Sequence, residues 1–524
     1  MPNVELPDPQ TSGDGQREEL RVALLHPATS PRVPGTPPPS PTLYVPDRLL
    51  VSGFPGDGDV DGQLEDLRDA LVPLGVRAVV PQRERDRVAR LARSRGRSRE
   101  VLDEVFVLRV VLEAEGTDPV PPPDAWLVLQ HLRRDPALAR RVSLDHVVRP
   151  ADGFWGGVDG FWGGVDGYWG GVDGYWGGVG ARGLAEYGAP GRGGRMPVAL
   201  VVEDPSDRSR DLPRHPVVAL PDTGIGRHPW FDGHPRVLRE VTHDGAVIGG
   251  PDADLSGTEP DRLTGQIGRD VGHGTFVAGL VRQGCPEATI LTIPVLTGTG
   301  IAAESGILEA LTDLLLRHVE GQDSPDAGGR DQVVDVLSLS IGYYPEAPEP
   351  PSALKASPLG RLLRQFGENG TLVVAAVGND ATEAPFVPAA LAGATGPDAL
   401  PVVAVGALNP DGSSVALFSN APAHVSAHRL GVAVVSTVPT ADAGLQSSTG
   451  ADLVGGHPRR ATLDPDNYAG GFAVWSGTSF ATPVLAAELA ACLCAASDVA
   501  DVGPAAMRAR GWDALRTCLG WSPT

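Results

Sequence analysis

Cysteine is scarce in this sequence, which holds four in 524 residues. So few cysteines cannot form a disulfide framework, and we expect buried thiols in a cytoplasmic protein. Long apolar runs are also missing: the best candidate, residues 485–496, contains Glu488 and is shorter than the roughly 18 residues that a membrane helix needs. The N-terminus lacks a basic start followed by an apolar stretch, so we expect neither a secretory signal nor membrane binding.

Positive charge is in deficit, with 43 basic and 65 acidic side chains and a formal net charge of −22. This balance argues against nucleic acid as a partner. Apolar residues make up 41% of the chain and charged residues 21%, which is typical of a globular protein. At roughly 150 residues per domain, the length indicates two or three domains.

The chain divides by composition into four parts. Residues 1–43 are rich in proline and glycine, which predicts a disordered tail. Residues 44–150 alternate short apolar runs with helical stretches in the order β-α-β-β-α-β, that of an α+β ferredoxin-like domain. After a linker at residues 151–195, residues 196–524 alternate buried-type strands with helices. This pattern predicts an α/β domain with a doubly wound, mostly parallel sheet.

Within the linker, residues 152–179 repeat the unit Asp-Gly-(Phe/Tyr)-Trp-Gly-Gly-Val four times. Three glycines in each seven-residue unit make a helix very costly, so the period is not that of a coiled coil. We favour a flexible spacer. The alternatives are a segment that is processed, and one that a partner or a modifying enzyme recognises by its aromatic side chains.

Three motifs in the last part lie where α/β folds place their active sites, after strands or at the start of helices. Asp222 lies in Pro-Asp-Thr-Gly-Ile-Gly, His273 in Gly-His-Gly-Thr-Phe-Val-Ala-Gly, and Ser479 in Ser-Gly-Thr-Ser-Phe-Ala-Thr-Pro. A serine becomes a nucleophile when a histidine takes its proton and a buried carboxylate orients that histidine. In a fourth motif, Ala-Ala-Val-Gly-Asn, Asn379 is suited to donate to an oxyanion together with the Ser479 N–H.

The chain order Asp, His, Ser is that of subtilisin, and the four motifs resemble the subtilisin-like serine proteases over about residues 198–497. The resemblance implies a serine endopeptidase that acts through an acyl-enzyme, with the triad Asp222, His273 and Ser479 and an oxyanion hole formed by Asn379 and Ser479. It also implies a substrate-binding edge strand and an opposite pocket wall, formed by Ser338, Leu339, Ser340, Ile341 and Gly342 and by Ala376, Val377 and Gly378.

Members of this family are typically made with a ferredoxin-like propeptide that blocks the cleft. The resemblance therefore implies a zymogen in which residues 44–150 act as an intramolecular inhibitor and compete with peptide or protein substrates. We expect the chain to cut itself between Asp152 and Arg195, because a glycine-rich segment of that length spans about 35–40 Å and reaches the cleft. The alternative from another class is a regulated sensor or binding protein that cuts only itself or one partner.

Other features leave the chemistry unchanged. Pro221 removes a backbone donor beside the triad aspartate, and Tyr343 and Tyr344 stand where the family usually has small residues and narrow the pocket. No cofactor is expected to be required, and no metal in the active site. Acidic side chains that could hold calcium, although we favour a solvated loop, are Asp252, Asp254, Glu259 and Asp261.

Eight arginines lie between Arg83 and Arg99 in the N-terminal domain. We expect a solvated helix-loop insert here, because charge runs usually face solvent. Docking to an acidic partner is the alternative.

Overall fold

The computed structural model describes residues 20–32, 36, 38–56, 58–115, 122–151, 196–198, 202–256, 268, 270–347, 351–440, 450–451, 460–461, 470–496 and 499–523. The tandem repeat at 152–179 lies outside the described residues, as do residues 1–19 of the predicted tail. Among the described helices, none is long and apolar enough to cross a membrane.

The N-terminal part contributes five strands to an antiparallel sheet: four form its main order, with helices between them, and the short first strand pairs with the second. Its elements are β1 (Ala23–Leu25), β2 (Thr42–Ser52), α1 (Val60–Gln63), α2 (Glu65–Leu71), β3 (Val76–Val79), α3 (Gln82–Leu91), α4 (Gly96–Val105), β4 (Val107–Ala114), α5 (Ala125–Leu132), α6 (Pro136–Arg141) and β5 (Val142–Pro150). The strand order is β5-β2-β4-β3, and every neighbouring pair is antiparallel. The predicted ferredoxin-like order is therefore confirmed.

Two local predictions for this part need correction. The predicted tail is too long at its C-terminal end, because β1 lies inside it, pairs with β2 and buries Leu25. The second helix of the predicted β-α-β-β-α-β order is in fact two helices, α5 and α6. The break comes before Pro136, which has no N–H to donate, and the Asp135 side chain caps the second helix by accepting from Ala137 N.

The larger part follows, after a short strand. Its elements are β6 (Met196–Pro197), β7 (Val217–Asp222), β8 (Val237–Leu238), β9 (Thr242–His243), β10 (Ala246–Val247), α7 (Ala253–Ser256), α8 (His273–Gly284), β11 (Thr289–Pro294), β12 (Ala302–Ala303), α9 (Glu304–Asp323), β13 (Val336–Leu339), β14 (Ile341–Gly342), α10 (Pro351–Ala356), α11 (Pro358–Glu368), β15 (Leu372–Ala376), β16 (Val402–Leu408), β17 (Ala427–Leu430), β18 (Val434–Thr437), β19 (Gly450–Ala451), β20 (Arg460–Ala461), β21 (Phe472–Trp475), α12 (Thr478–Leu493) and α13 (Pro504–Leu519).

A parallel sheet forms the centre of this part. Its strand order is β17-β16-β15-β13-β7-β11-β8, and all neighbouring pairs are parallel. Strands such as β7 and β15 are buried along their whole length, which explains their continuous apolar sequences. The predicted α/β class is confirmed. Not every strand of this part belongs to the parallel sheet: β18 pairs antiparallel with β21, the strand that leads to α12.

The N-terminal part packs on one face of the larger part. A single cluster of buried apolar side chains runs from the sheet and helices of the N-terminal part into α9 and α11. Around this cluster, the arginine-rich helices α3 and α4 face acidic side chains of the larger part: Arg90 donates to Asp313, and Arg97 to Asp323. The solvated insert that we favoured is therefore wrong for Arg90 and Arg97, which dock on acids of the same chain. Arg83, Arg93 and Arg95 are exposed, as expected for a solvated insert.

Asp313 is the most enclosed of these acids. It accepts two hydrogen bonds from Arg90, at 3.2 and 2.8 Å, and lies 3.1 Å from His243 Nδ1. Burial opposes its ionisation, but the hydrogen bonds from His243 and Arg90 outweigh burial and lower the Asp313 pKa to about 2. Burial likewise lowers the pKa of His243, and its bonds to Asp313 and Glu320 raise that pKa to about 9.

We expect Asp313→Ala to destabilise the folded chain by about 3–5 kcal/mol, because it leaves the largely buried Arg90 guanidinium without its counter-charge and the buried His243 with Glu320 alone. The matched control is Glu309→Ala, which breaks a pair with Arg83, a side chain 70% exposed, and costs under about 1 kcal/mol. Denaturant unfolding of both variants in a Ser479→Ala background measures the difference. Equal free energies of unfolding would contradict this account of the docking.

Candidate active site

Asp222 and His273 meet where β7 ends and α8 begins. Both are buried, and His273 Nδ1 lies 2.7 Å from Asp222 Oδ1. An ionised carboxylate only accepts hydrogen bonds, so Nδ1–H is the donor and the lone pair of the ring is on Nε2, the nitrogen that can take a proton. The imidazole is enclosed by aromatic rings, with centroids 5.6 Å from Trp475 and 5.3 Å from Phe480.

The turn that carries His273 is held by Asp254, a residue that the sequence analysis assigned only to an acidic loop. Its carboxylate accepts from Gly272 N at 2.7 Å and from both Thr275 N and the Thr275 hydroxyl. Burial raises the pKa of Asp254 to about 7, with Asp252 adding to the rise and these hydrogen bonds opposing it. No motif points to this role, because the two segments are joined by the fold and not by sequence spacing.

Ser479 is the second residue of α12, as its motif predicts. Its hydroxyl donates to the carbonyl of Ser340 at 2.9 Å, and the Ser340 hydroxyl donates to the Ser479 carbonyl at 2.8 Å. Its backbone N–H donates to the carbonyl of Ala151 at 2.7 Å. The start of α12 therefore holds a carbonyl oxygen of the N-terminal part directly at the predicted nucleophile.

Asn379 lies beside the start of α12. Its side-chain oxygen accepts from Thr478 N at 2.9 Å, which fixes the direction of the amide. Its Nδ2 is buried and has no hydrogen-bond partner among the residues that the structure describes. A buried donor without a partner costs about 1–3 kcal/mol, so the arrangement provides an unused donor beside Ser479.

The end of β5 lies between two short strands of the larger part. It pairs antiparallel with β12 on one side, in the register Ala302↔Val148, and with β14 on the other, in the register Ile341↔Pro150. Ala151 N extends the second ladder by donating to the carbonyl of Ser340 at 2.9 Å. Residues 147–151 thus occupy a groove that ends at Ser479.

The predicted edge strand is only partly in this groove. Ser340, Ile341 and Gly342 pair with the incoming chain. The backbone of Ser338 and Leu339 instead pairs with β15 inside the parallel sheet, although the Leu339 side chain lines the same pocket as Val148. The chain changes partner after Leu339, and nothing in the sequence Val-Leu-Ser-Leu-Ser-Ile-Gly marks this change.

The predicted pocket wall closes around Ala151. Ala151, Ala376 and Phe386 form a small buried cluster against which Tyr344 packs. Gly378 has φ +98, and a Cβ there would lie 2.5 Å from the Asn420 amide, so glycine is required. Of the other predicted wall residues, Val377 points into the general core. Phe386 was missed, because nothing in its local sequence marks it.

Asp252 and Asp254, the two calcium candidates among the described residues, already accept hydrogen bonds from protein groups. Asp252 accepts from the backbone N–H groups of Ile225, Asp254 and Leu255. Glu259 and Asp261 lie outside the described residues. Among those described, the group whose atoms lie close enough to hold a metal is Cys285, Glu287 and Cys494, at the end of α8 remote from His273.

The cysteines are free and lie in two close pairs. The sulfur atoms of Cys285 and Cys494 are 3.8 Å apart, and those of Cys492 and Cys518 are 2.9 Å apart. Cys492 and Cys494 therefore face different neighbours, as expected for residues two apart on a helix.

Comparison with known proteins identifies related sequences and folds. The model of the subtilase family, Peptidase_S8, matches residues 214–510. Three solved structures are each 21% identical: a cold-adapted subtilisin-like serine proteinase (56% of this chain, 79% of that chain, TM-score 0.33), a lanthipeptide protease (53%, 72%, 0.36) and the prenylagaramide maturation protease PagA (53%, 75%, 0.29). A search of curated proteins found no match.

The role given to Asp254 predicts a large effect of its removal. Asp254→Ala leaves three buried donors unsatisfied and should destabilise the chain by about 3 kcal/mol or more. The matched control is Asp411→Ala, since the exposed Asp411 carboxylate also accepts from two backbone N–H groups and one hydroxyl. Thermal unfolding should show a much smaller shift for the control. Similar shifts would show that burial of Asp254 is unimportant.

Proposed function

The chain belongs to the subtilase family and is a serine endopeptidase, and from this premise we propose that it cuts peptide bonds through Asp222, His273 and Ser479 and is made as a zymogen. In this proposal the N-terminal part, residues 44–150, is an intramolecular inhibitor. The observation that carries the proposal is the Ala151 carbonyl oxygen, 2.7 Å from the Ser479 N–H.

The reaction follows from the groups around this carbonyl. The Ser479 hydroxyl exchanges its hydrogen bond to the Ser340 carbonyl for one to His273 Nε2 and gives that nitrogen its proton. The oxygen then attacks the carbonyl carbon while Asp222 stabilises the imidazolium. The negative charge forms on the oxygen that Ser479 N–H already contacts. The unused Nδ2 donor of Asn379 supports a role as second donor, because its missing hydrogen bond is gained only when the oxyanion forms.

Inhibition is explained by the same geometry. An extended segment that forms ladders with β12 and β14 occupies the place of a peptide substrate, as in β-strand addition. The docked helices α3 and α4 and the shared apolar cluster hold that segment in place. A substrate must therefore displace β5 before it can reach Ser479.

We propose that the chain cuts itself at the Ala151–Asp152 bond. Attack on the Ala151 carbonyl makes an acyl-enzyme, the amine of Asp152 leaves with the proton from His273, and water then releases Ala151 as a carboxylate. The new N-terminus would be Asp152, the first residue of the tandem repeat. This bond lies immediately before the range of 152–195 expected from the sequence. Cutting it leaves the repeat on the catalytic domain, accessible to a partner or a modifying enzyme.

Intact-mass measurement of the wild type beside Ser479→Ala tests the proposal. We expect the wild type to give a fragment that begins at Asp152 and to react with a fluorophosphonate probe, and Ser479→Ala to do neither. Asn379→Ala should form the fragment about 10²–10³-fold more slowly, the loss known for the corresponding asparagine in subtilisin. Cleavage in the Ser479→Ala variant would refute the assignment, and a chain that cuts itself but no added peptide would favour the sensor alternative.

The inhibited state should also depend on pH through His146. Its two ring nitrogens lie 2.7 Å from Glu304 and 2.9 Å from Glu346. Burial lowers the pKa of His146, but these hydrogen bonds outweigh burial and raise the pKa to about 10. In the same strand, burial raises the pKa of Asp145 to about 6, against the hydrogen bonds from Ser305. Both raised pKa values favour docking at lower pH.

A histidine whose pKa is raised by docking stabilises the docked state. This stabilisation is complete below the pKa of the released histidine, about 6.5, and is lost as the pH rises towards the pKa of the docked histidine. We expect the processed N-terminal fragment to dissociate about tenfold or more readily at pH 9.5 than at pH 6.5. Co-elution of the two fragments in gel filtration measures this. The matched variant His146→Gln should show a smaller change with pH, and an unchanged dependence would contradict the role of His146.

A further inference from the structure

Three acidic side chains of the catalytic part face the segment that occupies the cleft. Counted back from the proposed scissile bond, Ala151 is the first residue, Arg149 the third and His146 the sixth. Arg149 pairs with Asp380, and His146 lies between Glu304 and Glu346. Glu346 also pairs with Arg133. All three cations that the described structure gives these acids therefore come from the N-terminal part.

The site at the third position is built for a guanidinium. Arg149 Nη2 donates to Asp380 Oδ2 at 2.6 Å, and both side chains are largely buried. The Tyr344 hydroxyl donates to the same oxygen at 2.7 Å, and Asn420 donates to that hydroxyl at 2.8 Å. The guanidinium carbon is also 5.9 Å from the centre of the Tyr344 ring. A planar cation gains from the carboxylate and the ring together.

The site at the sixth position holds a cation between two carboxylates. Glu304 and Glu346 are 2% and 6% exposed, and both accept from His146. Tyr343 stacks on the imidazole, with ring centroids 4.3 Å apart, and its hydroxyl donates to Glu304 at 2.9 Å. Two acceptors require both ring nitrogens to carry protons, so the bound ring is an imidazolium.

Between the two charged sites the cleft is apolar and narrow. At the fourth position, Val148 lies among Ile307, Leu311, Leu339 and Leu359. At the first position, beyond Arg149, Ala151 packs against Ala376 and Phe386. These contacts fix which residues of an extended chain reach the acids, because a shift by one residue would turn every side chain to the opposite face.

We infer that this cleft selects substrates with a basic residue at the third and at the sixth position before the cut, arginine being preferred at the third, with an apolar fourth and a small first residue. The inference rests on the proposed function, since it needs a peptidase whose substrate takes the place of β5. When the N-terminal part leaves, three largely buried carboxylates lose their cations. A basic substrate restores the pairing, whereas an acidic one adds repulsion.

The test uses the processed full chain and peptides spanning residues 144–155, mixed in one reaction and followed by mass spectrometry. Peptides that compete for the same enzyme report the ratio of their kcat/KM values, whatever fraction of the enzyme the N-terminal fragment occupies. We expect the Arg149→Ala peptide to be cut about tenfold or more slowly than the parent, and the Arg149→Glu peptide about 100-fold or more slowly. The His146→Arg peptide should be cut at least as fast as the parent, and the His146→Glu peptide about tenfold more slowly.

Enzyme variants then assign these preferences to residues. Asp380→Asn should reduce the preference for Arg149 over alanine to within about threefold, while the preference at His146 remains. Asp411→Asn, a change at an exposed acid remote from the cleft contacts, is the control and should keep both preferences. If the wild type cuts all the peptides at equal rates, the selection of basic residues is refuted. If it cuts none, including the parent, the proposed function itself fails.

Discussion

The antiparallel pairing of residues 147–151 with β12 and β14 is the contact on which the rest of the arrangement depends. Main-chain hydrogen bonds set its register, and the register decides every side-chain contact of the segment. It places the Ala151 carbonyl on Ser479 N–H, Val148 in an apolar pocket and Arg149 beside Asp380. The proposed reactivity, inhibition and selectivity thus share one geometric cause.

The residues proposed for catalysis are positioned by backbone N–H groups whose hydrogen bonds are accepted by buried side-chain oxygen atoms. Asp254 fixes the turn before His273 by accepting from Gly272 and Thr275, and the side chain of Asn379 accepts from Thr478 at the start of α12. Each of these bonds joins segments distant in sequence. The three elements that carry the triad, β7, α8 and α12, therefore depend on polar contacts in the loops as well as on the apolar packing of α8 against α12.

The sequence predicted what is encoded locally. Continuous runs of valine, isoleucine and leucine predicted the central strands, and glycine-rich motifs pointed to Asp222, His273 and Ser479. The structure places Asp222 and His273 2.7 Å apart, and Ser479 at the end of the groove that residues 147–151 occupy. Contacts set by tertiary structure were not predicted. A charge run such as Arg83–Arg99 does not show which acids it meets, and neither Asp380 nor Phe386 lies in a motif. Ser338 was misplaced because the strand changes partners without a change in hydrophobicity.

The apolar cluster shared by the N-terminal part and helices α9 and α11 has a consequence for timing. Cutting the bond after Ala151 removes none of the contacts within this cluster, nor the pairs that surround it. In the proposed zymogen, cleavage and activation are therefore separate events, and the delay between them is set by how fast the cut domain dissociates or unfolds. The time between cleavage and release of the N-terminal part would then depend on side chains remote from Ser479, such as Asp313, more than on the rate of the chemical step.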